Sequence, residues 1–204
     1  RSTLFPYTTL FRSSTEASAA AAGLEIAYES PIQPDSEDYR PVLIKARDAG
    51  PQAVVHLGYG PDGARIVRQL REIGFTGQFF GGQNTPQFLE AAGSAAEGVI
   101  IIENFLIGND SPAVVDFNKR FKDRFGHDPS TFSAYAYDAL NVLIEAVRRG
   151  GATREGVFKA LSDGGRWKTV QFGEFEFSAD RRPGDVTLLP VTVRNGAYVP
   201  AEAS

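Results

Sequence analysis

Three glycines in the stretch 57-LGYGPDG-63, Gly58, Gly60 and Gly63, stand at G-x-G-x-x-G spacing between a strand-like run, 52-QAVVHL-57, and a helix-like run, 61-PDGARIVRQLREIG-74. At such a corner, backbone N–H groups and a helix N-terminus can hold a dinucleotide pyrophosphate. Three features argue against that chemistry. Pro61 removes one of the N–H groups a phosphate would need. About 20 residues on, where a carboxylate should take the ribose hydroxyls, the strand end reads 81-GGQN-84, with Gln83 in the acidic place. The motif also follows an earlier strand–helix pair instead of opening the fold.

The glycines have a simpler use. Gly58 and Gly60 let the chain turn sharply off the strand, and Pro61 suits the first helical turn, where its missing N–H costs little. Tyr59 is not explained this way, because an aromatic between two glycines at the carboxyl end of a parallel strand lies where open α/β sheets bind ligands. His56 reads either as a group reaching the same cleft or, by its place among Val54, Val55 and Leu57, as a packed, hydrogen-bonded histidine. Gln83 and Asn84 can each donate and accept.

No other cluster carries chemistry. The two histidines, His56 and His127, lie far apart and cysteine is absent, so no metal site, thiolate or disulfide is expected. His127, in 126-GHDPS-130, reads as a solvated turn residue. No Ser/His/Asp or paired-carboxylate arrangement with catalytic spacing is visible, so neither an enzyme nor a cofactor is expected. Asp138 in 137-YDA-139 reads as an anchor for a buried helix, the stripe Phe117, Phe121 and Phe125 as core, and Trp167 as a hinge or surface residue.

The elements that must position these residues alternate. An Ala-rich helix end, 16-EASAAAAG-23, is followed by a strand, 24-LEIAYES-30, and a helix over 38–50 with Val42, Leu43 and Ala46 inward and Ser36 or Asp38 as cap. Then come strand 52–57, helix 61–73, strand 78–82, a short helix near 86–93 and strand 98–105. Strands joined by helices of this length signal parallel crossovers and an α/β, doubly wound sheet. Three helices follow, over 112–126, 133–150 and 153–164; the second is apolar around most of its circumference and must be covered on several sides. The chain closes with strands 169–178 and 186–200, the latter folded at Asn195-Gly196, a hairpin signal.

The chain has 204 residues, a net charge of −4 and no long basic run, which argues against nucleic acid as partner. Its longest apolar runs, such as 98-GVIII-102, fall far short of the roughly 20 residues of a membrane span. The opening 1-RSTLFPYTTLFRS-13 shows neither strand alternation nor helix period. Residues 3–13 resemble one reading frame of a short-read sequencing adapter, so residues 1–13 are set aside as an expected artefact.

Beyond this point the ordered blocks 48-DAGPQAVVHLGYGPDGARIVRQLREIGFTGQFFGGQ-83, 93-GSAAEGVI-100, 133-SAYAYDALNVLIEAVRRGG-151 and 173-GEFEFSADRRPGD-185 resemble the periplasmic solute-binding proteins of branched-chain amino acid (Leu/Ile/Val-type) ABC transporters. The resemblance runs from Glu16 to Ala201. It implies a periplasmic-binding-protein type I fold, two-lobed when intact and here truncated at the N-terminus. Residues 14–104 would be C-terminal-lobe βα units, 105–168 helices returning to the N-terminal lobe, and 169–204 the crossover and closing strands.

The resemblance further implies an extracytoplasmic protein, with no signal peptide in this stretch, that closes on a small ligand by hinge motion and delivers it to ABC permease subunits. Tyr59 would contact the ligand, with Gly60, Gln83, Asn84 and His56 around it. The family's leucine-binding member holds the ligand's α-ammonium with an acidic residue at the next strand end; the matching position here is Gln83. The ligand implied is an amino acid or a related small polar, carboxylate or amide molecule. A neutral amide at Gln83 loses the charge compensation an α-ammonium needs, and Gln83 and Asn84 suit a carboxylate, amide or hydroxylated ligand better. The alternatives are a ligand-sensing domain of a regulator or receptor with the same fold and, more remotely, a doubly wound nucleotide-dependent enzyme. With one lobe's worth of chain, self-association through the uncovered helix is also expected.

Overall fold

The computed structural model describes residues 6–58, 60–82, 85–184, 186 and 188–201. Helix α1, Pro6–Ala21, starts ten residues before the expected Ala-rich end, so the stretch expected to lack an element is partly helical. Alanine's helix propensity and the i,i+4 ion pair of Arg12 with Glu16, 2.8 Å, favour continuation through this segment. Gly23, at φ 69°, follows its end.

The expected strand over 24–30 is a correction. It forms no helix or strand and joins no ladder, and Leu24 and Ile26 stand 66% and 47% exposed. Alternation selects the faces of a strand, yet a strand exists only where a neighbour pairs its backbone groups. Helix α2, Arg40–Asp48, buries Leu43. Its N-cap is Tyr39, with no side-chain cap; the expected Ser36 and Asp38 do not fill that role, although Asp38 Oδ1 accepts from Arg40 N.

The elements that follow are β1, Ala53–Val55; α3, Gly60–Glu72; β2, Gln78–Phe80; α4, Pro86–Ala92; and β3, Ile100–Glu103. Further on lie α5, Pro112–Phe125; α6, Thr131–Gly150; α7, Arg154–Ser162; β4, Trp167–Thr169; β5, Gly173–Phe175; β6, Leu189–Arg194; and β7, Ala197–Pro200. The main sheet has the order β1-β2-β3-β6-β7. Strands β1 and β2 are parallel, with Val55 opposite Phe80, and β2 is parallel to β3, with Phe80 opposite Ile100. Strands β6 and β7 form the expected hairpin, its turn residues Asn195 and Gly196 both at positive φ, 52° and 73°.

Two compact units emerge. The first comprises the chain up to Ile101 together with Thr192–Ala201. Its core sets Val67 and Leu70 of α3 with Phe79, Phe88, Val99 and Val193, all within 1% of full burial. Each such side chain contributes about 1.5–3 kcal/mol relative to an exposed one, so α3 is held firmly on the sheet.

The second unit is Ile102–Val191. Phe105, Val114, Phe117 and Ala134 form one of its cores. The expected phenylalanine stripe is only partly inside: Phe117 is buried and Phe121 packs beside it, whereas Phe125, in the last turn of α5, is 55% exposed. Trp167 is a second correction, because it is 1% exposed in a core with Ala146 and Phe175, under the Arg149 guanidinium at 4.2 Å. The expected strand over 169–178 is instead the antiparallel pair β4–β5, with Trp167 opposite Phe175. Asp138 explains the break: its carboxylate accepts from Val170 N, Gln171 N and Gln171 Nε2 at 2.8–3.0 Å, holding the turn against α6. That is the anchoring role expected of it.

Candidate functional site

The carboxyl ends of β1 and β2 meet the first turns of α3 and α4. The ladder continues one residue past each strand, with His56 N donating to Phe80 O at 2.8 Å and Gly81 N to Ile100 O at 3.0 Å. Residues 56–58 and 60 and residues 81, 82 and 85 are therefore presented at one edge of the sheet. Of the five expected site residues, Tyr59, Gln83 and Asn84 lie outside the described residues; His56 and Gly60 are described. Gly60 is buried and opens α3.

At the end of the second loop, Thr85 is held from both sides. Thr85 Oγ1 accepts from Phe88 N at 3.2 Å and so caps α4. The Tyr198 hydroxyl of β7 accepts from Thr85 N at 3.2 Å and donates to Thr85 O at 2.9 Å. Gly81 and Gly82 precede at φ 135° and 99°, and a Cβ would fall 2.7 Å from His56 O at the first and 2.5 Å from the Phe88 ring at the second. Only glycine fits this approach. The pinning by Tyr198, from a strand more than a hundred residues away in sequence, carries no local signal and was missed in the sequence.

The third motif glycine has a packing use. A Cβ on Gly63 would lie 3.0 Å from His56 Nδ1 and 3.2 Å from Gly82 Cα, so α3 approaches the two strand ends as closely as backbone allows. Next to it, Asp62 is buried in the first turn of α3, and its Oδ1 accepts from Tyr39 OH at 2.6 Å and Asp35 N at 3.1 Å. Burial first, and the hydrogen bond to Asp62 second, push the Tyr39 phenol up to about 12. A carboxylate in that first turn opposes the phosphate a dinucleotide would bring, because it offsets the positive end of the helix dipole.

His56 is packed, as one of its two readings expected, with its ring stacked 6.4 Å from that of Phe79 at 17°. It is not hydrogen-bonded: neither ring nitrogen has a partner among the described residues. Burial lowers its pKa from the ordinary histidine value, and the nearby charge of Asp62 pulls the other way. His127 is exposed, Nδ1 lying 2.9 Å from Asp128 O. Among the described residues no group of three His, Cys, Asp or Glu side chains could hold a metal ion, and no helix is long and apolar enough to cross a membrane. A shallow hollow of about 890 Å³ lies elsewhere, between Val147 of α6 and Val157, Phe158 and Leu161 of α7.

A sheet whose strands β1, β2 and β3 run parallel with helices between them, completed by the β6–β7 hairpin, defines an α/β fold of the crossover type. The family model described as periplasmic binding protein matches residues 5–197, and the chain belongs to that family, with its periplasmic-binding-protein type I fold. Leu/Ile/Val-binding protein homolog 2 of Brucella abortus (strain 2308) is 28% identical over 172 residues, 81% of this chain and 44% of the relative. A leucine binding protein from Thermotoga maritima superimposes with a TM-score of 0.87 at 23% identity, over 97% of this chain and 57% of that one. An ABC transporter solute binding protein from R. palustris in complex with benzoate does so with a TM-score of 0.81 at 19% identity, over 92% and 52%. The chain thus spans less than half the length of the Brucella relative.

Proposed function

We propose that this chain forms part of the extracytoplasmic solute-binding component of an ABC importer, taking an amino acid or a related carboxylate or amide. Residues 14–104 would supply the C-terminal lobe, 105–168 the helices belonging with the N-terminal lobe, and 169–204 the returning strands. Tyr59 and Gly60 from one loop, Gln83 and Asn84 from the other, and His56 beneath them would line one side of the ligand cleft. ABC permease subunits would be the partners.

The observation that carries this reading is the pair of loops at the sheet's carboxyl edge, held by β-ladder bonds and by Tyr198. The described ends of these loops are fixed at Gly81, Gly82 and Thr85, and the buried Asp62 in the first turn of α3 opposes a nucleotide's phosphate. The names of the Brucella and Thermotoga proteins favour a branched-chain amino acid. The R. palustris complex favours a second ligand class, aromatic carboxylates, which Tyr59 could stack against and Gln83 could hydrogen-bond.

A thermal-shift screen of this chain joined to the N-terminal half of the Thermotoga protein tests the reading, because a ligand of the native state raises the melting temperature. Leucine, isoleucine, valine and benzoate are the probes and NAD the control. A shift with the first three supports an amino-acid site despite Gln83, and one with benzoate alone supports a carboxylate site. A shift with NAD alone would overturn the proposal.

A further inference from the structure

The hollow on the second unit is built from one face of α7. Arg154, Val157, Phe158 and Leu161 stand at i, i+3, i+4 and i+7 and so share that face, and with Val147 of α6 they line the hollow of about 890 Å³. Val157 and Leu161 pack against the core of Ala146, Trp167 and Phe175, whereas Phe158 stands 55% exposed. Arg181, in the turn after β5, lies over the Phe158 ring, its guanidinium carbon 5.5 Å from the ring centre. Phe158 follows Arg154 by one helical turn, which brings both cations to the same stretch of the stripe, with Leu161 beyond them.

Both cations stand where the fold gains little from them. The other cations of α6, α7 and the turn 178–184 are Arg148, Arg149, Lys159 and Arg182, and each has a carboxylate at 3.0–3.7 Å; Arg154 and Arg181 have none among the described residues. Arg154 occupies the first turn of α7, where the positive end of the helix dipole disfavours a cation. Arg181 sits at φ 63°, in the left-handed region that side chains rarely adopt. Its turn is held there by Arg181 N donating to Ser178 O and Ser178 N to Arg182 O, each at 2.8 Å. Glu155 also lines the hollow and offsets one of the two charges, which leaves a positive rim on an apolar floor. A strained backbone and unpaired charge gathered at one hollow point to function.

We propose that this hollow binds an amphipathic carboxylate, a free anion with a hydrocarbon tail. The carboxylate pairs with Arg154 and Arg181, and the tail lies along Val157, Phe158, Leu161 and Val147. A planar guanidinium takes a carboxylate through two parallel N–H donors, and the tail removes the Phe158 ring from water. From Arg154 to Leu161 the face runs about 10 Å at the helical rise per residue, so a medium-length chain spans it. A neutral or cationic amphiphile would leave both arginines unpaired. This second site is made wholly of residues between 147 and 181 and does not depend on what the sheet-edge loops bind.

Titration of the 204-residue chain with octanoate tests this, read by the fluorescence of its one tryptophan, Trp167, in the core against which Val157 and Leu161 pack. Saturable binding with a Kd on the order of millimolar is expected, weakening as salt is added. Acetate, which lacks the tail, and octylammonium, which has the wrong charge, do not bind. Arg181→Gly and Arg154→Ala each weaken octanoate about fivefold. Neither lowers the melting temperature, because glycine relieves the φ at 181 and alanine removes the cation from the helix start. Octanoate affinity unchanged in both variants, or octylammonium binding as well as octanoate, overturns the proposal. Phosphatidylglycerol vesicles that bind the chain through the two arginines when octanoate does not would make the hollow a membrane contact and overturn the free-anion assignment. The same titration of the chain joined to the Thermotoga N-terminal half retains octanoate binding; its loss there would mean that the added half fills the hollow, and would overturn the site.

Discussion

The Tyr39 hydroxyl, just before α2, donates a 2.6 Å hydrogen bond to Oδ1 of Asp62 in the first turn of α3, and both residues are at least 94% buried. Tyr39 is joined to α3 a second time, through its backbone N–H to Gln69 Oε1 at 2.7 Å. Two helices separated by β1 are therefore fastened directly behind the corner that carries Tyr59. Tyr39→Phe removes this bond and the one the hydroxyl accepts from Ser36 N at 3.2 Å, and leaves the buried Asp62 Oδ1 with Asp35 N alone. The expected loss is about 1–3 kcal/mol, read as a lower urea midpoint with an unchanged m-value. An unchanged midpoint would show that the bond contributes nothing.

The same pair predicts alkaline behaviour. The folded phenol is pushed up to about 12, above the ordinary tyrosine value of about 10. Between those values the unfolded state has lost its proton and the folded state keeps it. Stability is thus fully present below about pH 10 and declines as pH rises toward about 12. Tyr39→Phe lacks this contribution to the slope. Unfolding followed by circular dichroism at fixed urea across that window, wild type against variant, checks the sign.

Gly63→Ala separates helix propensity from packing. In a helix interior alanine is favoured over glycine by about 1 kcal/mol, so an open site would gain. Here the added methyl meets His56 Nδ1 at 3.0 Å and Gly82 Cα at 3.2 Å, and the second neighbour is backbone that cannot swing away. A net loss of about 1–3 kcal/mol is expected from overpacking. His56→Ala in the same chain recovers part of that loss but not all of it. A stabilised Gly63→Ala would mean that α3 can shift on the sheet.

The contrast between local and distant signals explains what was legible in the sequence. The order of helices and strands from 38 to 126, the Asn195-Gly196 hairpin and the anchoring by Asp138 could be read because period, turn chemistry and helix stops are written locally. The strand expected over 24–30 failed because pairing needs a neighbour that alternation does not name. Trp167 was misplaced because its burial depends on Ala146, 21 positions earlier, and on the turn that Asp138 makes. Of the candidate site, the place of Gly60 at the start of α3 was legible from the strand-to-helix corner. The role of Tyr198 and the backbone packed around His56 were not, since both arise only where separate strands converge.

Asp138 offers a sharper test in the second unit. Burial pushes its carboxyl above the usual carboxylate range, against the pull of its bonds to Val170 and Gln171. Its folded value therefore exceeds the unfolded one, and its contribution to stability falls as pH rises through the window between them. Wild type is expected to lose ground to Asp138→Asn over that window and to run parallel to it above. Asp138→Ala leaves two backbone N–H groups unpaired and should cost about 1–3 kcal/mol at neutral pH, more than Asp138→Asn. Chemical unfolding at several pH values orders the three proteins, and equal stability of the alanine and asparagine variants would refute the anchoring role.

Along α6, Leu140, Leu143, Ile144 and Val147 stand 59%, 48%, 41% and 39% exposed, forming one stripe at helical spacing. The opposite face of the same helix packs Ala134 and Ala146 at full burial. An apolar stripe of this kind favours association because its exposure to water is unfavourable by about 25 cal/mol per Å². The chain alone is expected to self-associate with rising concentration. Leu143→Glu with Val147→Lys replaces two members of the stripe with an i,i+4 pair that supports the helix and should shift the population to monomer without lowering the melting temperature. Sedimentation velocity over a tenfold concentration range checks this. A wild-type chain that stays monomeric throughout would mean that the stripe does not drive association, and an unchanged oligomer in the double variant would place the contact elsewhere.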